Sequence, residues 1–146
     1  VHHGNGTQAA FERDARVQYL STHQWPLFPG TGAKEEKGVG NIVNRPLPSG
    51  TGSRAFRDVV EGDILAAMDD FKPELVMISA GFDAHRADPL ASLELVEDDF
   101  AWVTEELMAL ARRHAKGRVV SVLEGGYDLL ALTNSFLAHL HVLRAS

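Results

Sequence analysis

The sequence feature that most constrains the fold of this chain is a set of four short apolar runs, which are separated by segments of helical periodicity. The runs are rich in β-branched residues and cover residues 17–20, 41–43, 75–79 and 119–123. Their length and composition are typical of buried strands. Strands that alternate with helices predict a parallel sheet covered by helices, so we expect an α/β fold.

Three segments place apolar residues at helical spacing. The first covers about residues 56–71 with Ser53 as its predicted N-cap, and the second covers residues 100–110 with Asp98 as its predicted N-cap. The third runs from about residue 129 to 143. A further short helix is expected after the His-His-Gly-Asn-Gly turn that opens the chain.

Candidate functional residues follow the predicted strands. Asp83 comes shortly after the run at 75–79, and Tyr127 comes shortly after the run at 119–123. His2 and His3 would join them if a strand precedes Val1. Because ligands of open α/β sheets bind at the carboxyl ends of strands, these side chains are predicted to share one edge.

Composition excludes several kinds of site. The 146 residues contain no cysteine, which excludes disulfides, thiolate metal ligands and cysteine nucleophiles. The formal net charge of −6 is spread along the chain and argues against a nucleic-acid surface, which needs a basic patch. We also find no signal peptide and no apolar run long enough to span a membrane. A cytoplasmic protein without direct nucleic-acid or membrane contact is therefore expected.

The candidate residues suit metal-assisted hydrolysis. Histidine and aspartate are zinc ligands, and zinc can polarise a carbonyl and acidify bound water. The hydroxyl of Tyr127 could stabilise an oxyanion, and Gly125 and Gly126 could let the backbone approach closely and turn that tyrosine inward. Each residue also has a structural interpretation: Asp83 as a turn former, Tyr127 as a packing residue and His2 as a surface residue.

Seven segments in a fixed order are more specific than any one residue. They are His-His-Gly-Asn-Gly-Thr-Gln at 2–8, Ser-Thr-His at 21–23, Phe-Pro-Gly-Thr-Gly at 28–32, Gly-Asn-Ile-Val-Asn at 40–44, Ser-Ala-Gly-Phe-Asp-Ala-His at 79–85, Asp-Pro-Leu at 88–90 and Leu-Glu-Gly-Gly-Tyr at 123–127. Over nearly its whole length the chain resembles the histone deacetylase family. It is most similar to the class II-like bacterial deacetylases, which include acetoin-utilisation and acetylpolyamine amidohydrolase relatives.

The resemblance implies a three-layer α/β/α arginase/deacetylase fold with a mostly parallel sheet. Residues 1–146 match the C-terminal part of a single catalytic domain, so only that portion of the fold is expected here. The family's zinc is held by an Asp-x-His motif and a second aspartate. His2 and Asp83 match two of these ligands, and the remaining aspartate would stand immediately before Val1.

Further roles follow from the resemblance. Tyr127 matches the family's transition-state tyrosine, Leu90 a wall of the acyl-lysine tunnel, and Asn5 a residue that supports a catalytic imidazole. Gly125 and Gly126 would border the substrate. One potassium site would use the His2 carbonyl with Ser21 and Thr22. A second would use Phe11, Asp14 and Val17, with Asn41 as a further candidate.

The implied activity is zinc-dependent hydrolysis of the amide of acetyl-lysine or of a small acetylated amine. The family's general acid–base histidine pair lies upstream of the zinc motif, and His2-His3 is not that pair. One alternative is a catalytically incomplete fragment that acts as a non-enzymatic binding module. Another is an arginase-like hydrolase with two manganese ions, which would need additional bridging ligands.

Overall fold

The computed structural model describes residues 1–145, which form five α-helices, one π-helical segment and four strands. In chain order these are α1 (Asn5–Phe11), β1 (Tyr19–Gln24), β2 (Ile42–Leu47), α2 (Ser53–Val59), the π-helical segment Val60–Leu65, α3 (Ala66–Phe71), β3 (Val76–Ala80), α4 (Glu97–His114), β4 (Val119–Leu123) and α5 (Leu129–Ala145). Within this range no helix is both long and apolar enough to cross a membrane.

All strand pairing in the described residues is parallel, as the sequence predicts. Strand β1 pairs with β2, and β3 pairs with β4. The two pairs form separate two-stranded sheets, whereas a single sheet was expected. Val1 lies between them: its carbonyl accepts a hydrogen bond from the Gln24 amide at the end of β1, and its nitrogen contacts Asp83 beyond the end of β3.

The strands β1 and β2 begin and end later than predicted. Strand β1 continues through Ser21, Thr22 and His23, which the apolar pattern did not include. These polar residues remain in a strand because they have partners: Ser21 Oγ donates to His23 Nδ1 at 2.9 Å. Strand β2 runs past Pro46, which an outer strand of a sheet tolerates.

The predicted helix at 56–71 is one continuous helical run whose middle turn is π-helical. Its buried residues follow every fourth position: Phe56, Val60, Ile64 and Met68. In an α-helix this series would rotate by about 40° at each step. The π-helical segment Val60–Leu65 has more residues in each turn, which offsets that rotation. All four side chains therefore stay on the core side.

Both predicted N-caps are wrong, because Ser53 is the first residue of α2 and Asp98 is the second residue of α4. Gly52 and Val96 precede the first turns of α2 and α4. Ser53 instead donates its hydroxyl to Asp99 Oδ2 at 2.6 Å, and the Val96 amide donates to the same oxygen at 3.0 Å. Arg57 completes the cluster at 2.8 Å from Asp99 Oδ1, so the fully buried Asp99 joins α2 to α4.

The core lies on one side of the β3–β4 sheet. Val76 and Ala80 of β3 are buried against α4, whose Leu110 and Ala111 have no exposed surface. The opposite side of this sheet is open in the described part of the chain, with the apolar side chains Met77, Val120 and Val122 exposed.

Helix α5 is fastened by the buried histidine His139. Thr104 of α4 uses its hydroxyl proton to bond the Phe100 carbonyl at 2.5 Å, so its oxygen accepts a hydrogen bond from His139 Nδ1 at 2.7 Å. Nε2 of His139 then accepts from Ser121 of β4 at 2.8 Å. The imidazole is therefore neutral, and burial lowers its pKa below the ordinary value.

This arrangement predicts a loss of stability in mild acid. In the unfolded chain His139 binds a proton at its usual pKa of about 6.5, whereas in the folded protein its pKa is lower. The unfolded state therefore takes up a proton as the pH falls below about 6.5, and the free energy of unfolding decreases. Urea unfolding at pH 7 and pH 5 measures the change.

The matched control lies on the same helix, where His141 is exposed. We expect His139→Gln to reduce the difference in unfolding free energy between the two pH values, and His141→Gln to leave it close to that of the wild type. Equal pH dependence in the wild type and His139→Gln would contradict the assignment.

Candidate active site

Asp83 and His2 are brought together at the carboxyl end of β3. The carboxylate of Asp83 is buried, with 3% of the residue exposed. Its Oδ2 lies 3.3 Å from Nδ1 of His2, and its Oδ1 lies 2.6 Å from the backbone nitrogen of Val1. A peptide N–H at Val1 could donate the same bond as the α-amino group. The predicted pair of zinc ligands is thus adjacent in space although 81 positions separate the residues in the chain.

The spacing of these two atoms fits a zinc ion. Two tetrahedral ligands about 2.0–2.2 Å from zinc lie roughly 3.3 Å from each other. The side chain of His2 remains about one-third exposed, whereas that of Asp83 is buried. Among residues 1–145, however, no group of three His, Cys, Asp or Glu side chains could hold a metal.

The loop that carries Asp83 is anchored from both sides. The Phe82 amide donates to the Gly125 carbonyl at 2.7 Å, which joins the loop after β3 to the loop after β4. The Phe82 ring is buried, with its centroid 5.2 Å from that of Phe100 and 6.3 Å from that of Phe136. Burial of this aromatic ring holds the adjacent Asp83 at the edge of the sheet.

Gly125 and Gly126 have separate reasons to be glycine. A Cβ atom on Gly125 would collide with the carboxylate of Asp83. Gly126 has a φ of +147°, and its Cβ would lie 2.8 Å from Cδ1 of Leu132. The close backbone approach predicted for these glycines is therefore present, and the group approached at Gly125 is Asp83.

Tyr127 lies in the same loop but is not turned into the protein. It is 52% exposed, and its hydroxyl has no hydrogen-bond partner among the described residues. Its backbone amide donates to Asp88 Oδ2 at 2.9 Å. The other carboxylate oxygen of Asp88 accepts from the Leu90 amide at 2.9 Å, and Leu90 itself is 56% exposed.

Asp88 is a residue of the site to which the sequence analysis gave no role. Its bond to the Leu90 amide, two positions along, is a local turn bond that an Asp-Pro pair already suggests. Its bond to Tyr127 spans 39 positions and has no local signal. Because Asp88 is 93% buried and uses both oxygens, it ties the tyrosine loop to the loop after Asp83.

Behind His2 lies a buried polar network centred on His3. Nδ1 of His3 is 2.8 Å from the Thr31 hydroxyl, and Nε2 is 2.9 Å from Gln8 Oε1. Since Oε1 is an acceptor, Nε2 carries the proton and Nδ1 accepts from Thr31. Gln8 also accepts from Asn44 and donates to Glu36. Both nitrogens of His3 are occupied, so this side chain supports the loop of His2.

A second buried histidine, His23, packs against the first. The centroids of the two rings are 4.9 Å apart. Nε2 of His23 donates to the Gly32 carbonyl at 2.9 Å, and its Nδ1 accepts from Ser21. Burial lowers the pKa of His23 to about 4, although the bond to Gly32 favours the protonated form. The ring is therefore neutral at pH 7.

The other predicted site residues lie around this centre. Asn5 is exposed at the start of α1, and its backbone amide donates to the His3 carbonyl at 3.0 Å. Ser21 and Thr22 lie in the middle of β1, and the Ser21 proton is used by His23. Their roles as imidazole support and potassium ligands stay predictions.

The chain is similar to known proteins of one family. Residues 1–143 match the family model for the histone deacetylase domain. The chain is 47% identical over 133 residues to a probable deacetylase of Archaeoglobus fulgidus, with 88% of this chain and 37% of the relative aligned. It is 42% identical over 133 residues to a histone deacetylase-like amidohydrolase of Pseudomonas aeruginosa, with 88% of this chain and 35% of the relative aligned.

A solved structure shares the fold. The crystal structure of the HDA15 HD domain superposes with a TM-score of 0.93 at 36% identity, over 100% of this chain and 42% of that one. This confirms the expected α/β deacetylase fold and gives the arginase-like alternative no support. The chain spans about a third of the length of the curated relatives it matches. It belongs to the histone deacetylase domain family.

Proposed function

We propose that the whole protein is a zinc-dependent amidohydrolase that removes acetyl or other acyl groups from acetyl-lysine or a small acetylated amine. The observation that carries the proposal is the 3.3 Å approach of His2 Nδ1 to the buried carboxylate of Asp83. The loop of Tyr127 reaches the same edge through its hydrogen bonds to the loop after β3. A cytoplasmic location and the absence of direct nucleic-acid binding belong to the same proposal.

His2 and Asp83 would hold the zinc together with an aspartate immediately before Val1. The bound ion would supply the polarisation of the amide carbonyl and the acidification of the attacking water. Asp83 would contribute negative charge from a buried position, and His2 a neutral imidazole nitrogen. The network of His3 would keep the His2 loop in place during the reaction.

Tyr127 would donate a hydrogen bond to the oxygen that becomes negative when water attacks the carbonyl. Two features support this role. Its hydroxyl is not used by any other residue in the range 1–145, and its backbone is fixed by Asp88. Leu90, Gly125 and Gly126 adjoin this loop and would line the path of the acyl group.

The general acid–base group would come from residues outside this chain. His3 is unsuitable because it is buried and both of its nitrogens are bonded. The relatives are about three times as long as the matched region, which leaves room for the upstream histidine pair that the resemblance implies. Residues 1–146 would thus be the C-terminal part of one catalytic domain.

The second candidate function is a non-enzymatic binding module. Residues 1–145 bring only two candidate zinc ligands together, which favours weak metal binding by this segment alone. Hydrolysis of a fluorogenic acetyl-lysine substrate by the whole protein, with its zinc stoichiometry measured, separates the two functions. Turnover that requires about one zinc per chain supports the enzyme, and zinc-free protein without turnover supports the module.

For Asp83→Ala in the whole protein we expect loss of both zinc and activity, because a buried anionic ligand is removed. Metal analysis by mass spectrometry measures the zinc, with turnover measured in parallel. The matched control is Asp98→Ala, since Asp98 is an exposed aspartate at the start of α4. Full zinc occupancy in Asp83→Ala would refute the ligand assignment.

For Tyr127→Phe we expect kcat to fall about 10²–10³-fold, the size of effect seen when one oxyanion donor is removed. Zinc content should be unchanged, because the hydroxyl has no structural partner in the described residues. Steady-state kinetics and metal analysis measure both quantities. Unchanged kcat would remove Tyr127 from the mechanism.

For Asp88→Ala we expect the loop of Tyr127 to lose its anchor while zinc stays bound. Hydrogen–deuterium exchange of the Tyr127 amide should accelerate, and kcat should fall about 10-fold or more because positioning is lost. Asp88→Asn retains one acceptor oxygen and should have an intermediate effect. The same exchange rate as in the wild type would show that this bond does not hold the loop.

A further inference from the structure

Three backbone carbonyls, at the end of α1 and in the turn that follows it, surround a single point in the protein. The residues Phe11, Asp14 and Val17 are spaced by three positions along a turn, in which the Asp14 amide bonds the Phe11 carbonyl and the Val17 amide bonds the Asp14 carbonyl. All three oxygens lie within 3.1 Å of one atom, the side-chain nitrogen of Asn41. The turn and the start of β2 therefore meet at this amide.

The amide of Asn41 is fixed in orientation. Nδ2 lies 2.8 Å from the Phe11 carbonyl, 3.1 Å from that of Asp14 and 2.8 Å from that of Val17. The opposite orientation would place an oxygen against three acceptor oxygens, so the nitrogen must face them. On the other side Oδ1 accepts from the Val39 amide at 3.2 Å, and Asn41 is only 5% exposed.

The main chain around Asn41 closes this position. The Asn41 carbonyl accepts from the Tyr19 amide at 3.0 Å, and the Val39 amide also donates to the Glu12 carbonyl at 2.9 Å. Gly38 has a φ of +55°, and a Cβ there would lie 2.7 Å from Asn41 Oδ1. The segment before β2 can pack this closely because residue 38 has no side chain.

A cluster of inward carbonyls is how proteins replace the hydration shell of potassium. These carbonyls belong to the residues that the family resemblance implies for a second potassium site. The three carbonyls do not fit an ion, because the Asn41 nitrogen occupies the position where their oxygens converge. The carboxylate of Asp14 adds no net negative charge near the three carbonyls, because it is paired with the Arg16 guanidinium. The Arg16 nitrogens lie 2.9 Å from Asp14 Oδ1 and 2.7 Å from Oδ2.

We propose that the Asn41 amide takes the place of a cation at this site. Its two N–H groups carry the partial positive charge that the carbonyls of Phe11, Asp14 and Val17 require. The turn after α1 is then held without potassium, and within residues 1–145 a potassium response would come from the site predicted at Ser21 and Thr22. This inference does not depend on the proposed catalytic function.

A comparison of cations tests the proposal in the whole protein. Thermal unfolding is measured in potassium chloride and in tetramethylammonium chloride at equal ionic strength, for the wild type and for Asn41→Ala. Removal of the amide exposes the carbonyls to an ion of suitable size. We expect potassium to raise the unfolding midpoint of Asn41→Ala by about 4 °C or more beyond its effect on the wild type.

The matched control is Asn44→Ala. Asn44 is also buried on β2, but its amide donates to the Gln8 side chain, with a longer contact to the Glu36 carbonyl. This variant loses a buried amide without opening a cluster of carbonyls, so its potassium response should equal that of the wild type. Equal responses in Asn41→Ala and the wild type would overturn the proposal.

A crystal of the wild type soaked in thallium(I), a potassium substitute with strong anomalous scattering, tests the proposal without a variant. No anomalous peak among the carbonyls of Phe11, Asp14 and Val17 is expected. A peak there, with the Asn41 amide displaced, would overturn the proposal. This measurement decides the matter if Asn41→Ala does not fold.

Discussion

The parallel pairing of β3 with β4 is the constraint on which the candidate site depends. Ala80 stands opposite Leu123, so both strands end at one level and their loops leave the sheet side by side. The pairing continues past the strands, because the Glu124 amide bonds the Ala80 carbonyl and the Phe82 amide bonds the Gly125 carbonyl. A glycine at position 125 is what lets the carboxylate of Asp83 occupy the remaining space.

Buried polar side chains, rather than apolar contacts alone, join the elements around this edge. Asp99 connects α2 with α4, His139 connects α5 with α4 and β4, and Asn41 connects β2 with the turn after α1. A buried polar group left without a partner costs about 1–3 kcal/mol, so each of these residues selects one arrangement of its neighbours. The low pKa of His23 has the same origin, since burial disfavours its charged form.

The elements themselves were largely predictable, and the errors have physical causes. The strand at Val119–Leu123 was predicted to the residue, and the helices were found at about their observed positions. The predicted N-cap Ser53 was wrong because its hydroxyl bonds Asp99, 46 positions away, instead of its own helix. Strand β1 was placed too early because its later residues are polar. Ser21 and His23 bond each other inside the strand, and His23 also donates to the Gly32 carbonyl, so these residues remain in the strand without an apolar pattern.

The sequence alone determined the order of strands and helices, the candidate metal ligands and the series of family motifs. Each depends on residue type and on spacing within one element, which a linear pattern records. The tertiary structure decided which of these residues meet. It brought His2 next to Asp83 and placed the carboxylate of Asp88 where it accepts a hydrogen bond from the Tyr127 amide. It also placed the Asn41 side-chain amide among three carbonyls. Such contacts join residues between 24 and 81 positions apart, and periodicity carries no information over that distance.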